Sequence, residues 1–474
     1  MAAGSSLSLS TPQSPTEGDR LTFRWTTDAP DAKNWVGVYD GDRLPGTGSS
    51  LLWKYTAAAS GEVQLDTSAL TDGPYTAYLL AKDGYGVLAR SAPFSFRPRP
   101  VAPRPHLAVD ALTATVVAPS AAFRIELGGL WMLGSSAPVF RKAGGDSWLS
   151  VSAGGTVTGT APNAPLPRPA VLTVAVKDAA GNTDALTVQV PVEHRRPRLK
   201  TATLNLWKAG ANTTDALEKQ LRVVLTQGWD VVALQETGGT AAQALADALG
   251  WYAYQSAGSV GVLSRYPLAE VTAPTAELPA AGVTVQLPGG RAVRFWAAHL
   301  DEADYGPYAV QDGRSAEAVL ASEKASARGR QALALAAAVK AELAVRKPLP
   351  VVLAAGLASP SHLDWTPATA AAHGGVAALE WPVTAALRDA GLVDAYRLAH
   401  PDPAASPGTT WSVTRVSRGT QPEPQDRIDQ VHFAGRLTLV EAHTLTTGWP
   451  AAEPAAAANG WPSDTAAAVA TFTI

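Results

Sequence analysis

The chain has 474 residues, of which 46% are hydrophobic and 17% charged, and its formal net charge is −3. This length allows two to four domains with sizeable cores. The small net charge argues against strong non-specific electrostatic binding to nucleic acid or to an anionic membrane. Cysteine is absent and no apolar run is long enough to span a bilayer. Disulfides, thiolate metal sites and a membrane span are therefore not expected.

Residues 1–98 are predicted to form short strands separated by Asp-Gly and Pro-Gly turns. The predicted strands are LTFRW (21–25), NWVGVY (34–39), LLWKY (51–55), GEVQL (61–65), PYTAYLLA (74–81) and FSF (94–96). Regular short strands of this kind are typical of an antiparallel β-sandwich. The pattern resembles the immunoglobulin-like modules found in front of secreted phosphoesterases. Its Trp and Tyr residues either fill the sandwich core or, where they face solvent together, form a sugar-binding patch.

A Pro-rich basic segment, RPRPVAPRP (97–105), is predicted to be a stiff linker. Residues 106–193 then form a second set of predicted strands: FRIEL (123–127), SWLSVS (147–152), TVTGT (156–160), AVLTVAVKD (170–178) and ALTVQVPV (185–192). This segment resembles bacterial cadherin-like immunoglobulin modules, some of which bind calcium through clustered acids. Asp178, Asn182 and Asp184 are candidates for such a site, but Ala179-Ala180-Gly181-Asn182 also suits a simple hairpin turn.

Strands alternate with helices from residue 199 to residue 474, which predicts an α/β domain. Predicted strands are TATLNLW (201–207), DVVALQ (230–235), VTVQL (283–287), AVRFWAAHL (292–300), VVLA (351–354), RIDQVHF (427–433) and VATFTI (469–474). Predicted helices cover 214–227, 240–250 and one long segment at about 314–346. A plausible N-cap for the first helix is Thr213 or Thr214.

The strand at 351–354 breaks at Gly356 and continues as SPSHLDWT (359–366). This segment resembles the endonuclease/exonuclease/phosphatase superfamily, in particular its secreted actinobacterial branch. The resemblance covers nearly all of residues 199–474 and implies a two-sheet sandwich flanked by helices. The expected architecture is therefore two immunoglobulin-like β-sandwiches followed by this α/β domain.

The resemblance also implies a metal-dependent phosphoesterase site. Asn205 in TLN matches a supporting Asn, and Glu236 in LQET matches the principal metal ligand. His299 in AAHLD matches a phosphate-contacting His, and the aromatic DYGPY segment follows it. Asp429 in DRIDQVHF matches the Asp that orients a catalytic imidazole. Asp464 in WPSDT matches a second acid beside the metal, and Mg²⁺ is the implied ion, since carboxylates, waters and phosphate suit it.

Three side chains that the family uses are replaced here. Gly356 occupies the position of the Asp that activates water. Ala358 occupies that of an Asn that stabilises the transition state, and Thr465 occupies that of a terminal His. A lost general base costs about 10²–10⁴-fold in rate, and a lost oxyanion donor about 10²–10³-fold. Mg²⁺ binding is therefore expected to be weak or lost. The nearby candidates for compensation are His362, Asp364 and Asp301.

These departures favour a secreted pseudoenzyme that keeps the phosphoesterase scaffold as a binding or structural module. One alternative is an active or weakly active Mg²⁺-dependent phosphoesterase. The other is a cell-surface or glycan-binding adhesion protein that acts through residues 1–193. The expected partners are a phosphate-ester ligand and a glycan or cell-surface partner, without strong binding of nucleic acid. The start, MAAGSSLSLS, has no basic and apolar signal pattern, so an export signal is expected to be absent or already removed.

Overall fold

The structure is a computed structural model. It describes residues 4–11, 15–17, 20–41, 43–47, 49–65, 67, 70, 73–97, 104–134, 137–194, 198–448 and 450–474. The chain divides into two compact units. One comprises residues 1–102 with the short segments 446–451 and 459–461, and the other comprises the remaining residues.

The first unit contains two antiparallel sheets. Its strands are β1 (Ser6–Thr11), β2 (Leu21–Thr26), β3 (Trp35–Asp40), β4 (Leu52–Tyr55), β5 (Ser60–Leu65), β6 (Tyr75–Ala81) and β7 (Gly86–Arg90). Their orders are β1-β2-β5 and β4-β3-β6-β7. Alternate residues of β2, including Leu21 and Phe23, join Val36, Val38 and Leu79 of the other sheet in one core. The two sheets therefore pack face to face, as the alternation of apolar residues predicts.

Two details differ from the predicted strands of this unit. The strands β1 and β7 were not predicted, because neither has the aromatic and β-branched density of its neighbours. The predicted FSF strand is wrong: Phe94 makes only an isolated bridge to Tyr75. Phe94 and Phe96 are nevertheless both buried in the core. Their side chains pack like those of a strand, although their backbone does not form the continuous hydrogen-bond ladder of a sheet.

The second unit begins with another group of strands: β8 (His106–Leu107), β9 (Ala111–Thr113), β10 (Ala122–Glu126), β11 (Trp131–Met132), β12 (Val139–Gly145), β13 (Leu149–Val151), β14 (Thr156–Thr160), β15 (Ala170–Lys177) and β16 (Thr183–Val190). They form the sheets β12-β15-β16-β9, β10-β14-β13 and β11-β8. The central strand β15 alternates strictly between buried and half-buried residues along most of its length. The strand β12 was missed because its sequence, VFRKAGG, carries little strand signal.

The acids considered for calcium in this region have structural contacts instead. Asp178 closes the β15–β16 hairpin by accepting hydrogen bonds from the backbone and side-chain nitrogens of Asn182, both at 2.8 Å. Asp184 accepts from the backbone of Leu107 at 2.8 Å and of Ala185. The hairpin interpretation accounts for these residues without an ion.

The remaining strands belong to the α/β part: β17 (Arg198–Asn205), β18 (Val231–Gln235), β19 (Tyr252–Gln255), β20 (Gly261–Ser264), β21 (Leu268–Thr272), β22 (Ala280–Leu287), β23 (Arg291–His299), β24 (Val351–Gly356), β25 (Val393–Asp394), β26 (Ser417–Arg418), β27 (Gln421–Pro422), β28 (Asp429–Ala434), β29 (Thr438–Leu445) and β30 (Ala467–Thr473). The helices are α1 (Ala216–Thr226), α2 (Ala241–Leu249), α3 (Gly306–Gln311), α4 (Ala316–Ala325), α5 (Ala327–Leu343), α6 (Pro382–Asp389) and α7 (Ala395–Ala399).

Two six-stranded sheets dominate this part, with orders β19-β20-β18-β17-β30-β29 and β21-β22-β23-β24-β28-β25. Val231 and Ala470 of the first sheet share a buried cluster with Phe295, Val352 and Phe433 of the second. The opposite face of the second sheet is covered by helices, because Leu353 and its neighbours contact apolar residues of α5 and α6. Within β24, odd-numbered residues thus face the helices and even-numbered residues face the other sheet.

The long helix predicted at 314–346 is interrupted. Ser326 has an extended backbone between α4 and α5, and its hydroxyl accepts a hydrogen bond from Gly329, which caps α5. The fully buried Arg328 follows, and its guanidinium pairs with Glu323 at 2.6 Å. A serine cap and a buried ion pair therefore replace one turn of continuous helix. At the first helix, α1, the N-cap residue is Asp215 rather than a threonine.

The predicted linkers fall mostly on residues 98–103 and 195–197, which lie outside the described residues. The predicted boundaries of the three domains therefore stay predictions. Within the described ranges, no helix is long and apolar enough to cross a membrane.

Candidate functional site

Three neighbouring strands of the second sheet end side by side. His299, the last residue of β23, pairs with Gly356 at the end of β24, and Gly356 pairs with Asp429 at the start of β28. Because side chains alternate along a strand, these positions share the face of Phe295 and Val352, which is turned towards the other sheet. The register therefore brings three of the predicted site positions together at the rim of the sandwich.

The other sheet contributes Asn205 and Glu236. Asn205 ends β17, and Glu236 directly follows β18 in a left-handed conformation with φ 54°. The side-chain nitrogen of Asn205 donates to Oε1 of Glu236 at 2.8 Å. The backbone nitrogen of Lys208 donates to Oε2 at 2.6 Å. The carboxylate is thus held by one donor on each oxygen, which fixes its orientation while leaving lone pairs free.

The segment that supports Glu236 has an unusual backbone. Trp207, Lys208 and Ala209 have φ values of 46°, 59° and 54°, and Gly210 continues the left-handed run at 83°. Left-handed conformations cost non-glycine residues roughly 1–2 kcal/mol each. This strained turn presents the Lys208 amide to the carboxylate, and strain of this kind clusters at functional sites.

His299 is fixed through both ring nitrogens. Its Nδ1 lies 2.6 Å from the hydroxyl of Ser259, which also accepts the backbone N–H of Glu236 at 3.1 Å. Its Nε2 lies 2.8 Å from Oε1 of Glu302. Burial alone would lower the pKa of His299, but the carboxylates of Glu302, Glu236 and Asp429 outweigh burial and raise it. The hydrogen bond from His299 lowers the pKa of Glu302.

Asp429 and Asp464 are buried acids, with exposed fractions of 2% and 7%. Burial raises the pKa of Asp429 to about 7, although the Thr410 hydroxyl and His299 act in the opposite direction. Burial also raises the pKa of Asp464 to about 7, and the negative charge of Glu236 adds to the effect. Oδ2 of Asp429 and Oδ1 of Asp464 have no hydrogen-bond partner among the described residues. Buried acceptors of this kind call for a partner that the protein itself does not supply.

These groups open into one cavity of about 780 Å³. Its acidic, basic and histidine lining residues are Lys208, Glu236, His299, Glu302, Arg415, Asp429, Glu453 and Asp464. Five carboxyl side chains and two permanent cations therefore line the cavity, so it offers several oxygen ligands to a bound cation.

Sequence reasoning missed Ser259, Glu302, Lys208 and Arg415. Glu302 stands directly after the HLD motif, so its position was visible, but the direction of a loop side chain is not encoded by spacing. Ser259 and Arg415 belong to none of the matched motifs; the fold places Ser259 against His299 and Arg415 in the cavity wall.

The three replaced positions have different surroundings. A Cβ at Gly356 would stand 3.5 Å from Oδ1 of Asp429 and 3.5 Å from the His299 ring, and the Gly356 backbone is not left-handed. Ala358 has φ 48°, a conformation that Asn tolerates better than Ala. Thr465 lines the cavity and makes a bridge to Trp411. A Cβ therefore fits at residue 356 at ordinary contact distances, and the φ at 358 suits the expected Asn.

The aromatic segment after His299 also reaches the cavity. The hydroxyl of Tyr305 donates to Oδ2 of Asp426 at 2.9 Å, and that of Tyr308 donates to Glu423. Asp426 also accepts from the indole of Trp365 at 2.8 Å. These buried hydrogen bonds hold the two tyrosines as a wall of the cavity.

The residues considered for compensation are structural. His362 contacts Thr384 through both its backbone nitrogen and its ring. Asp364 accepts hydrogen bonds from the buried guanidiniums of Arg397 and Arg427, at 2.6 and 2.9 Å. Asp301 accepts the backbone N–H of Ala303. None of the three candidates, His362, Asp364 and Asp301, lines the cavity.

The donor set fits a divalent cation. Glu236, His299 and Glu302 offer ligand atoms that all lie within 4.8 Å of one another. The unpartnered oxygens of Asp429 and Asp464 face the same cavity. Carboxylate oxygens suit hard cations such as Mg²⁺ or Mn²⁺. The residues that would hold a metal are therefore Glu236 and Asp464, as the resemblance implies, with His299 and Glu302 beside them.

Comparison with known proteins gives a sequence match and a set of structural likenesses. A model of the endonuclease/exonuclease/phosphatase family matches residues 202–354. An uncharacterised protein of Caenorhabditis elegans is 31% identical over 292 residues, which is 58% of this chain and 91% of that protein.

Among solved structures, an endonuclease/exonuclease/phosphatase of Beutenbergia cavernae is 18% identical with a TM-score of 0.38, over 59% of this chain and 72% of that one. The 3′ phosphatase NExo of Neisseria, bound to a product DNA hairpin, is 20% identical with a TM-score of 0.37, over 57% of this chain and 98% of that one. The sequence match is located in the strands that carry Asn205, Glu236 and His299. Through residues 202–354, the chain therefore belongs to the endonuclease/exonuclease/phosphatase family.

Proposed function

We propose that the family domain is a pseudoenzyme, which keeps the cavity as a binding site for a divalent cation and a phosphate ester but does not hydrolyse the ester. The observation that carries the proposal is at Gly356. The strand end between His299 and Asp429 has no side chain, although a Cβ would fit there at ordinary contact distances. The position expected to hold the water-activating base therefore has no side-chain group that can accept a proton.

Binding can persist without that base. The cavity keeps Asn205, Glu236, His299, Asp429 and Asp464 together, and Lys208 and Arg415 are the two permanent cations in its wall. A divalent cation would balance part of the acidic lining, and the phosphate could then bind the cation and the two basic side chains. A long nucleic acid is disfavoured, because the lining carries more carboxyl groups than cations.

The alternative is a weakly active phosphoesterase that uses the remaining groups. Hydrolysis of phosphodiester, phosphomonoester and sphingomyelin-like substrates with Mg²⁺ or Mn²⁺ separates the two hypotheses. The pseudoenzyme proposal expects turnover indistinguishable from the buffer, together with metal-dependent binding of a non-hydrolysed phosphate ester. Metal-dependent turnover that is lost in Glu236→Gln would establish the alternative instead.

A second candidate function, glycan binding, is favoured by an aromatic groove in the first unit. Trp53, Tyr55 and Tyr85 are 55%, 44% and 54% exposed, and they line a groove of about 290 Å³ with Trp35 and Asp83. The hydroxyl of Tyr55 donates to Asp83 at 2.6 Å. Exposed rings beside hydrogen-bonding groups suit the apolar face and the hydroxyls of a sugar. The experiment is a glycan-binding assay with the whole chain and a Trp53 variant.

The expected extracellular location belongs to the same proposal. What supports it is the resemblance of residues 1–98 and 106–193 to modules of secreted proteins. A pseudoenzyme with a glycan-binding front module would act as an adaptor, holding a phosphate-bearing ligand near a glycan surface. Detection of the protein in the culture medium of its source cells tests the location.

A further inference from the structure

His299 and Glu302 are in direct contact, with Nε2 of His299 2.8 Å from Oε1 of Glu302. A carboxylate bound to a histidine is common as a simple ion pair, but the Glu302 side chain is 61% exposed, so solvent on that side weakens what the pair contributes to stability, although the His299 side chain is only 13% exposed. The pair also lies next to Glu236, and one ligand atom from each residue lies within 4.8 Å of the others. One nitrogen ligand atom and two oxygen ligand atoms therefore lie close together in the cavity.

We propose that Glu236, His299 and Glu302 form a mixed nitrogen and oxygen site that binds Zn²⁺ in preference to Mg²⁺. The inference shares its cavity with the proposed function and deepens it by naming the class of cation. Imidazole nitrogen is a good ligand for Zn²⁺ and a poor one for Mg²⁺, which prefers oxygen and water. A site that uses His299 as a ligand therefore changes the metal preference that carboxylates alone would give.

The surroundings of His299 match those of a ligating imidazole. A metal-bound histidine usually gives its second ring N–H to an oriented acceptor, which fixes the tautomer. Nδ1 of His299 lies 2.6 Å from the hydroxyl oxygen of Ser259. That oxygen already accepts the Glu236 amide, and its second lone pair can accept Nδ1–H. Nε2 donates to Glu302 in the metal-free protein, and on metal binding it would give up that proton and present its lone pair to the ion.

The geometry needs only a small adjustment. Donor atoms at about 2.0–2.2 Å from one tetrahedral Zn²⁺ ion stand about 3.3–3.6 Å apart, whereas the three ligand atoms here lie within 4.8 Å of one another. Glu302 is exposed and can rotate, whereas Glu236 is held by Asn205 and by the Lys208 amide. Two ligands are therefore preset and the third can close on the ion.

A second, independent observation points to a cation at this place. Oδ2 of Asp429 and Oδ1 of Asp464 are unpartnered within the described part of the chain, and both residues are more than nine-tenths buried. Both face the cavity that Glu236, His299 and Glu302 line. Buried carboxyl oxygens without donors are costly unless a cation or its bound waters satisfy them.

The test is calorimetry on the metal-free whole chain with Zn²⁺, Mn²⁺ and Mg²⁺ in turn. We expect Zn²⁺ to bind at least tenfold more tightly than either Mg²⁺ or Mn²⁺. Glu302→Gln should weaken that binding at least tenfold and change Mg²⁺ binding less than twofold. The matched control is Asp301→Asn, which alters the neighbouring carboxylate outside the cavity and should behave as wild type. Equal affinity for Mg²⁺, or equal effects of the Glu302 and Asp301 substitutions, would overturn the inference.

Co²⁺ supplies a readout that does not depend on affinity or on activity. Imidazole ligation should give the Co²⁺-loaded protein visible absorption bands that His299→Gln changes and Asp301→Asn leaves intact. Identical spectra for wild type and His299→Gln would contradict the inference. Failure here is distinguishable from failure of the proposed function: Mg²⁺ preference without hydrolysis overturns only the metal inference, whereas hydrolysis by a Zn²⁺-binding chain overturns only the pseudoenzyme proposal.

Discussion

Asp429 faces Gly356 across the antiparallel pair of β28 and β24, and a Cβ at Gly356 would stand 3.5 Å from Oδ1 of Asp429. A carboxylate added there would lie beside a buried acid whose pKa burial has already raised to about 7. The two groups could share a proton, which is a common arrangement for an acid and base pair. Residue 356 is therefore the position at which the proposed loss of catalysis can be tested by substitution.

The first prediction is that a triple reversion restores hydrolysis. Gly356→Asp, Ala358→Asn and Thr465→His together should raise the rate by at least about 10²-fold, since each returns a base or a transition-state donor. The backbone allows the first two changes, because Gly356 is not left-handed and Asn suits the φ of 48° at Ala358. The measurement is the initial rate on a phosphodiester with Mg²⁺ and with Mn²⁺.

The matched control keeps the shape but removes the base. The same triple variant with Gly356→Asn in place of Gly356→Asp should show no comparable gain, because an amide cannot accept the proton. Single reversions should recover little, since residues that act as a unit are not additive. An equal gain from the Asn control would show that the restored activity does not come from a base at residue 356.

The second prediction concerns pH and the buried acid. The pKa of Asp429 is about 7 in the folded chain and about 4 in an unfolded one. Between these values the folded state binds the additional proton, so its stability falls as the pH rises from about 4 to 7. Asp429→Asn removes the titrating group and should stabilise the metal-free protein at pH 8 by at least about 1 kcal/mol.

Urea unfolding at pH 8 and at pH 5 measures this difference. The gain from Asp429→Asn should be present at pH 8 and much smaller at pH 5, where the native Asp429 is already protonated. The exposed Asp402→Asn exchange is the control and should be neutral at both values. A gain of equal size at both pH values would mean that burial of the charge is not its cause.

The third prediction concerns the loop that carries Glu302. The guanidinium of Arg328 donates to the carbonyls of Asp301 at 2.7 Å, of Ala303 at 3.0 Å and of Asp304 at 3.2 Å, and it pairs with Glu323. Arg328→Met leaves Glu323 buried without its partner and releases this loop. Removing one partner of a buried pair costs about 3–5 kcal/mol.

Chemical unfolding checks this cost, and a second substitution shows its origin. If the buried charge of Glu323 is the main penalty, Arg328→Met combined with Glu323→Leu should recover a large part of the stability. No recovery would mean that the three carbonyl contacts carry the stabilisation. In either case the denaturant concentration at which half of the protein is unfolded should be much lower for Arg328→Met than for the exposed control Arg346→Ala.

The fourth prediction concerns the aromatic groove. Trp53 contributes an exposed ring, which lies 5.1 Å from that of Tyr55 and 6.2 Å from that of the buried Trp35. Trp53→Ala should weaken glycan binding at least tenfold with little change in thermal stability. The control is Val416→Ala, an exposed apolar residue of the other unit, which should not affect glycan binding. Unchanged glycan affinity in Trp53→Ala would exclude the groove as the binding site.

Much of the α/β part could be predicted from local patterns. The continuous apolar runs at 230–235 and 351–354 predict strands buried on both faces, and the structure contains β18 and β24 there. The helix at 240–250 ends at a glycine, and Gly250 indeed adopts the left-handed conformation, with φ 64°. Buried strands and helix ends depend on residues that are close in sequence, so one stretch of sequence is sufficient to predict them.

The resemblance of the motifs implies, from the sequence alone, that Gly356, Ala358 and Thr465 stand where the family has catalytic side chains. The contacts of Ser259 and Glu302 with His299, and the place of Arg415 in the wall of the same cavity, came only from the tertiary structure. These residues lie on different loops, and their approach depends on the packing of two sheets. Sequence spacing fixes which face of a strand a residue occupies, but only the packed sheets decide which loop side chains meet it.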